Sequence, residues 1–154
     1  MSNRDTIAHW LRELSPGDGA FRLDQQGVCL LSDADGATLR IEVPEASGRV
    51  FLLSHIGSWR DDNRADLFEK LLKANLFNLE TNGATLAIDE RSQRVALCYG
   101  HAVQDLDPGR FESVVSEFIE TARSWRERLA QLSAAPEQSA AVNGDDSAWT
   151  MIRA

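Results

Sequence analysis

The stretch that decides the fold is LLKANLFNLETNGATLAIDERSQRVALCYG, residues 71–100. Its first part continues an apolar pattern at helical spacing, and the turn signal Asn82-Gly83 ends that pattern. Leu86 and Ile88 then share one face of a short strand, and the charged residues DERSQR turn the chain into a second strand. The stretch therefore predicts a helix followed by a β-hairpin.

The predicted helix has an apolar arc that is wider than one buried stripe requires. The arc is formed by Leu67, Phe68, Leu71, Leu72, Leu76 and Phe77. We therefore expect a helix from residue 67 to residue 77 that makes two contacts, one with its own sheet and one with a partner.

The chain on either side of this stretch completes an α+β fold. A helix is predicted over 5–14, with Asp5 or Thr6 as its cap. The strand-like runs 27–33, 37–43 and 49–57 predict an antiparallel meander. The third run is apolar on both phases, which indicates a central strand covered on both sides or one whose second face meets a partner. A long helix from Asp107-Pro108 to about Leu132 carries an apolar seam typical of a helix that lies along a sheet.

The element order is therefore α-β-β-β-α-β-β-α, with a mainly antiparallel sheet covered by helices. Residues 1–133 are expected to form one domain. Residues 134–154 are small, polar and unpatterned, which predicts a disordered C-terminal tail. Trp149, Met151 and Ile152 are large apolar residues in this otherwise polar tail. They form either a short segment that makes an apolar contact or a terminus without a function.

Composition limits the partners. The net charge is −8, and the basic residues are scattered singly, so nucleic acid is not an expected partner. The two cysteines, Cys29 and Cys98, have no C-x-x-C spacing, which argues against a zinc ribbon and a disulfide framework. The N-terminus has neither a signal-peptide pattern nor a membrane span, so we expect a cytoplasmic protein.

The best candidate for catalysis is CYGHAVQD, in which Cys98, His101 and Asp105 could supply a thiol, a base and an orienting carboxylate. Cys98 and His101 are an odd number of residues apart, so on a regular strand they point to opposite faces. We find no metal-ligand spacing and no phosphate-binding series of glycines, and we expect no cofactor. Surplus apolar surface without visible chemistry is typical of a binding module.

These features resemble the CesT family of type III secretion chaperones. The most specific part of the resemblance is LLKANLF…GATLAID…VALCY. The N-terminal helix with Trp10, Leu11 and Leu14 and the long last helix add to it. The resemblance covers roughly residues 3–132 and leaves the tail outside.

The resemblance implies a cytoplasmic bacterial homodimer without enzymatic activity. Such a protein binds the N-terminal region of a secreted effector, keeps it partly unfolded and delivers it to the secretion apparatus. The implied dimer interface is formed by the second helix and a neighbouring strand, here Leu67, Leu71, Leu72, Leu76, Phe77, Leu86 and Ile88.

The resemblance also places the effector on apolar patches of the first helix and the first strands, where it could add an edge strand. The matching positions are Trp10, Leu14, Leu30, Leu39, Ile41, Leu52 and Leu53. Which phase of each strand faces the effector stays open. Two alternatives also stay open: a scaffold or regulatory adaptor of the same fold outside secretion, and a thiol enzyme that uses Cys98.

Overall fold

The computed structural model describes residues 1–17, 21–34 and 36–134. The predicted element order and the α+β class are confirmed. The elements are α1 (Asn3–Leu14), β1 (Val28–Ser32), β2 (Thr38–Glu42), β3 (Arg49–Ser58), α2 (Arg64–Ala74), β4 (Thr85–Asp89), β5 (Arg94–Ala102) and α3 (Pro108–Ala134). Short 3-10 turns, Leu76–Asn78 and Val103–Asp105, follow α2 and β5.

The five strands form one antiparallel sheet in the order β1-β2-β3-β5-β4. Helices α1 and α3 cover one face of this sheet, which we call the inner face. The opposite face, which no described helix covers, is called the open face. Helix α2 lies beside the edge strand β4.

The core lies between the inner face and the seam of α3, which packs along the sheet as its spacing predicts. The seam residues Phe111, Val115, Phe118, Ala122, Trp125 and Leu129 are all buried. Trp10 of α1 packs on Phe111, with ring centroids 5.6 Å apart. The Trp125 indole donates a hydrogen bond to the Glu80 carbonyl at 2.9 Å, so the one polar atom of this large side chain is satisfied.

Helix α1 begins earlier than predicted, and the expected caps Asp5 and Thr6 are wrong. Its N-cap is Ser2, whose hydroxyl accepts a hydrogen bond from the Asp5 backbone N–H at 3.1 Å. The Asp5 carboxylate in turn accepts one from the Ser2 N–H at 3.0 Å. The Ser2 hydroxyl also donates a hydrogen bond to the Asp5 carboxylate at 2.7 Å. This hydrogen bond, and then the one from the Ser2 N–H, lowers the pKa of Asp5. This capping box fixes the start of α1.

Strand β3 occupies the middle of the sheet, yet only its inner side is covered. Val50, Leu52 and Ile56 are buried, whereas Phe51 and Leu53 lie on the open face. A bulge between His55 and Gly57 places the extra residue Ile56 in the core. The described residues do not cover β3 on both sides. Its second face is open and is available to a partner.

Helix α2 ends at Ala74, so the predicted helix from 67 to 77 is too long. Leu76 and Phe77 belong to the 3-10 turn, and Phe77 has a left-handed backbone with φ 56°. The Asn75 side chain explains the end of the helix. It accepts a hydrogen bond from the Leu86 N–H at 2.8 Å and donates one to the Leu86 carbonyl at 2.9 Å, which ties the chain to β4.

Candidate functional site

An apolar groove opens on the inner face where α1, the β1–β2 edge and α3 diverge. It encloses about 380 Å³, and we call it the α1–α3 groove. Its apolar walls are Leu14 of α1, Phe21 of the following loop, Leu31 and Leu39 of β1 and β2, and Val115 and Ile119 of α3. Most of these side chains are only half-buried, so the groove is an unfilled extension of the core that a partner's apolar side chains can reach.

The groove keeps its shape because α1 is held against the ends of β1 and β2. Arg4 donates hydrogen bonds to the carbonyls of Val43 and Gln26, both at 2.9 Å. Gly27 permits this approach: its φ is 82°, and a Cβ there would lie 2.7 Å from the Val43 oxygen. The helix is therefore fixed at its N-terminal end, while Leu14 at its C-terminal end lines the groove.

Four charged side chains also line the groove: Asp33, Glu112, Arg123 and Arg126. Arg123 forms an ion pair with Glu120 at 2.7 Å. Arg126 is half-buried and has no hydrogen bond, ion pair or ring contact with any described residue. A positive charge without a partner beside an apolar groove favours a ligand that carries a carboxylate next to apolar groups.

The seven predicted effector-binding residues do not lie on one surface. Leu14 and Leu39 line the groove. Trp10, Ile41 and Leu52 belong to the core, where Ile41 and Leu52 are 0% and 1% exposed and offer a partner no surface. Leu30 and Leu53 lie on the open face. The effector contact stays a prediction, and its accessible part is divided between two surfaces.

The open face carries the second candidate surface. Leu30, Phe51 and Leu53 form its apolar part, and Leu30 is 68% exposed. Two polar pairs border this part: the ion pair of Arg40 with Glu42 at 3.0 Å, and His55 with the Asp89 carboxylate at 3.1 Å.

The third surface lies at the C-terminal end of α2 and on the turn that follows it. Leu72, Leu76, Phe77 and Leu79 are 72%, 66%, 82% and 78% exposed. We call these four side chains the apolar turn cluster. Side chains of this size and exposure, so close together in sequence, indicate an interface rather than scattered surface residues.

The predicted dimer residues divide between this cluster and the core. Leu72, Leu76 and Phe77 belong to the cluster. Leu67, Leu71 and Leu86 are buried, and Ile88 at the β4 edge is 38% exposed. The sequence pattern does not identify Leu79, because the predicted helix ends at residue 77 and Leu79 lies beyond it. The dimer interface stays a prediction.

Sequence reasoning also missed most of the groove. Phe21 lies outside every predicted element, and Ile119 lies beside the α3 seam rather than on it. Leu31 lies in a run that is apolar on both phases, so its face could not be assigned from the sequence. An apolar residue next to a helical seam, such as Ile119, was the one available signal.

The Cys98, His101 and Asp105 group does not form a catalytic site. Cys98 pairs with Leu53 on the open face, whereas His101 pairs with the buried residue Val50 and therefore lies on the other phase of β5. Burial raises the pKa of the Cys98 thiol, which disfavours the nucleophilic thiolate. Among residues 1–17, 21–34 and 36–134, no cluster of three metal-ligating side chains occurs.

None of the described helices is both long enough and apolar enough to cross a bilayer. The arrangement offers surfaces for binding a protein: an apolar groove with a free arginine, an open sheet face and an exposed apolar turn.

Comparison with known proteins gives one family. The sequence model of the Tir chaperone protein (CesT) family matches residues 7–126. No curated protein matches the sequence.

Several solved structures have a similar fold. One is the ExsC–ExsE complex, with 17% identity and a TM-score of 0.74 over 88% of this chain and 100% of that chain. Another is the Yersinia pestis type III secretion chaperone SycH in complex with a stable fragment of YscM2, with 13% identity and a TM-score of 0.59 over 80% and 98%. A third is YbjN of E. coli, described as a candidate transcription regulator, with 19% identity and a TM-score of 0.61 over 86% and 95%. At these identities the structures share the fold alone.

Proposed function

Because this chain belongs to the Tir chaperone protein (CesT) family, we propose that it is a type III secretion chaperone of the bacterial cytoplasm. It binds the N-terminal region of a secreted effector, keeps that region partly unfolded and aids its delivery to the secretion apparatus. Similarity to SycH, a chaperone solved with a fragment of another protein, supports this function.

The observation that carries the proposal is the unfilled α1–α3 groove. A folded globular partner would present a convex surface, which suits a cleft of about 380 Å³ poorly. An unfolded segment can insert single apolar side chains between Leu14, Phe21 and Ile119. Its apolar side chains are available for this contact because they are not buried in a folded core of its own. The groove therefore matches a client that is held in an extended form.

The open face offers the same client a second contact. Leu30, Phe51 and Leu53 are apolar and accessible, and they lie on the sheet face opposite the groove. A segment of some tens of residues could pass round the edge strand β1 from the groove to the open face. In this proposal, the predicted positions Leu14 and Leu39 act in the groove, and Leu30 and Leu53 act on the open face.

The apolar turn cluster serves a homodimer in this proposal. Leu72, Leu76, Phe77 and Leu79 would be covered by the same cluster of a second copy, since a two-fold axis brings identical patches together. This assignment keeps the groove and the open face of each copy accessible to the client.

Catalysis has no part in the proposed function. The pKa of the Cys98 thiol is raised by burial, and His101 lies on the opposite phase of β5, where it cannot remove the proton of that thiol. Membership of a chaperone family agrees with a function that consists of binding alone.

A regulatory adaptor outside secretion is the second candidate function, and one observation favours it. YbjN has a similar fold at 19% identity, and it is described as a candidate transcription regulator rather than a chaperone. The fold alone does not separate the two functions. The identity of the bound partner does, because an adaptor would capture a regulatory protein instead of a secreted one.

The test identifies the client and then maps its contact. Affinity-tagged full-length protein is purified from its native bacterium, and the bound proteins are identified by mass spectrometry. The N-terminal fragment of the most abundant partner is then titrated into the purified protein by calorimetry. We expect a protein that the bacterium exports through its type III apparatus, and we expect the fragment to bind without nucleotide or metal.

The substitutions Leu14→Asp and Ile119→Asp should each weaken binding of this fragment by about tenfold or more, because a carboxylate in the groove meets apolar side chains. Leu30→Asp on the open face is the matched control and should weaken binding less. Were Leu30→Asp the only damaging change, the main contact would be the open face. A partner that is never exported would favour the adaptor instead.

A further inference from the structure

The C-terminal residues 135–154, which are the predicted tail except for its first residue, lie outside the described residues. The proposed function does not involve them. They contain an acidic pair, Asp145 and Asp146, followed by the apolar residues Trp149, Met151 and Ile152. We propose that residues 145–152 bind in the α1–α3 groove of their own protomer. The chain thereby carries its own occupant for the site where we place the effector, so the regulatory meaning of this contact rests on the proposed function.

The groove has a direction that matches the order of residues in this segment. Arg126 and Arg123 lie toward the C-terminal end of α3, whereas Ile119 and Val115 lie toward its N-terminal end. A chain that leaves α3 and runs back along it meets the arginines first and the apolar walls second. The segment presents its groups in that same order, first the carboxylates and then the large apolar side chains.

The spacings also agree. Arg126 and Ile119 are seven residues apart on α3, which corresponds to about 10 Å along the helix. Asp146 and Trp149 are three residues apart, which corresponds to about 10 Å in an extended chain. Trp149 can therefore lie at Ile119 while Asp146 lies at Arg126. Trp149 and Met151 then share one side of the extended segment and can both face the groove.

The tether is long enough for this return. From Ala134 back to Val115, α3 extends over about 29 Å, at a rise of about 1.5 Å for each residue. The fifteen residues from 135 to 149 can extend over up to about 50 Å. The segment reaches the groove without strain in the linker. The short tether also holds it at an effective concentration of about a millimolar or more, so a weak contact is enough to fill the groove.

Charge favours this segment over an apolar segment that carries no carboxylate. The chain has a net charge of −8, so most of its surface repels an acidic segment. Asp33 and Glu112 line the groove together with Arg123 and Arg126. Arg126 attracts a carboxylate because it is half-buried and has no partner among the residues that the structure describes. A carboxylate of Asp145 or Asp146 would complete its ion pair at the position where the linker enters the groove.

The consequence for the client is competition. A client that uses the groove must displace the segment, so its apparent affinity is reduced by the fraction of time that the groove is open. Release of the client is followed by return of the segment, which keeps the apolar walls covered between clients.

Tryptophan fluorescence of the full-length protein, without any client, tests the contact. Of the four tryptophans, Trp10, Trp59 and Trp125 are buried. Quenching by acrylamide therefore reports mainly on Trp149. We expect little quenching of the native protein and at least about a threefold larger quenching constant after Ile119→Asp or after Arg126→Glu. Leu30→Asp, a carboxylate placed on the open face, is the matched control and should leave the quenching unchanged.

A charge exchange keeps the test valid if Ile119→Asp disturbs folding, which near-ultraviolet circular dichroism would reveal. Arg126→Glu should release Trp149, and Arg126→Glu combined with Asp145→Arg and Asp146→Arg should protect it again. Quenching of Trp149 that is already maximal in the native protein would overturn the proposal. Protection that disappears on dilution would also overturn it, because the segment would then occupy a groove of another copy.

This outcome is separate from the outcome for the proposed function. Protection of Trp149 requires no client, so it can be observed even if the effector assignment is wrong. If both proposals hold, Trp149→Ser combined with Met151→Ser should raise the affinity for the client fragment several-fold. An unchanged affinity with protected Trp149 would place the client elsewhere and leave the contact of the segment intact.

Discussion

Gly57 of β3 packs directly against Leu129 of α3. A Cβ at this position would lie 2.3 Å from Cδ2 of Leu129, which is itself buried. The bulge at His55 and Gly57 turns two successive residues, Ile56 and Gly57, toward the helix. The missing side chain thus leaves the space that Leu129 fills.

Gly57→Ala should lower the free energy of unfolding by about 1–3 kcal/mol, because the new methyl group overpacks this contact. Leu129→Ala alone should lower it by about 2–5 kcal/mol through the cavity that it creates. In the double variant the loss should be smaller than the sum, since the alanine methyl enters that cavity.

Urea unfolding measures all three variants of this cycle. Gly109→Ala near the start of α3 is the control, because its Cβ would have ordinary contacts and alanine favours a helix. Full additivity of the two single losses would show that the close approach of Gly57 and Leu129 has no energetic weight.

At the scale of elements, the Asn75 side chain joins α2 to β4. Its amide satisfies both the N–H and the carbonyl of Leu86 on the outer side of an edge strand. This contact is local in space but joins residues that are eleven positions apart. It fixes the direction in which the chain leaves α2.

Asn75→Ala should lower the free energy of unfolding by about 1–3 kcal/mol, because two backbone groups of Leu86 lose their partner. Asn75→Asp should be no better: the carboxylate can accept from the Leu86 N–H but cannot donate to the Leu86 carbonyl. Chemical denaturation checks both variants, with exposed Gln131→Ala as a near-neutral control. A stable Asn75→Asp variant would show that only the bond to the N–H matters.

The same element marks the limit of what the sequence could predict. The apolar spacing of Leu67, Leu71 and Leu72 predicts α2 correctly, since helical periodicity is a local signal. The end of the helix at Ala74 depends on Asn75 and on its contact with Leu86, which is a tertiary contact. No glycine or proline marks that end, so the pattern alone extends the helix to Phe77.

In the candidate site, the sequence predicts the face of the sheet for some strand residues but not for others. In β2 the alternation of Leu39 and Ile41 with charged residues predicts one buried face, and both leucine and isoleucine are buried. In β3, apolar residues on both phases leave the face undecided, so the sequence names both Leu52 and Leu53 as candidates although they lie on opposite faces of the sheet. The groove itself could not be predicted, because α1, β1 and α3 form it from distant parts of the chain.

At the scale of the whole molecule, the apolar turn cluster predicts the oligomeric state. Leu72, Leu76, Phe77 and Leu79 would remain in water on a single protomer, at about 25 cal/mol for each Å² of apolar surface. We therefore expect a dimer in solution by light scattering. Leu72→Glu and Phe77→Asp should each produce monomers, because a two-fold interface brings two copies of each new charge together.

Leu30→Glu, which places a carboxylate at an equally exposed leucine of the open face, is the control and should leave the dimer intact. Circular dichroism would verify that the cluster variants remain folded. A dimer that survives both cluster substitutions would move the interface to another surface, and a native protein that is monomeric at micromolar concentration would remove it.

The left-handed residues Phe77 and Asn78 have a consequence for how fast two copies meet. Backbone of this kind costs on the order of 1 kcal/mol or more for each residue with a side chain, yet here it is held by hydrogen bonds from Asn78 to Asn75 and from Gly83 to Asn78, both at 3.0 Å. The turn is thus complete within one protomer, and association requires no folding step. Subunits then meet at a rate set by encounter and orientation. Two isotopically labelled pools, once mixed, should exchange subunits as a single exponential governed by dissociation alone.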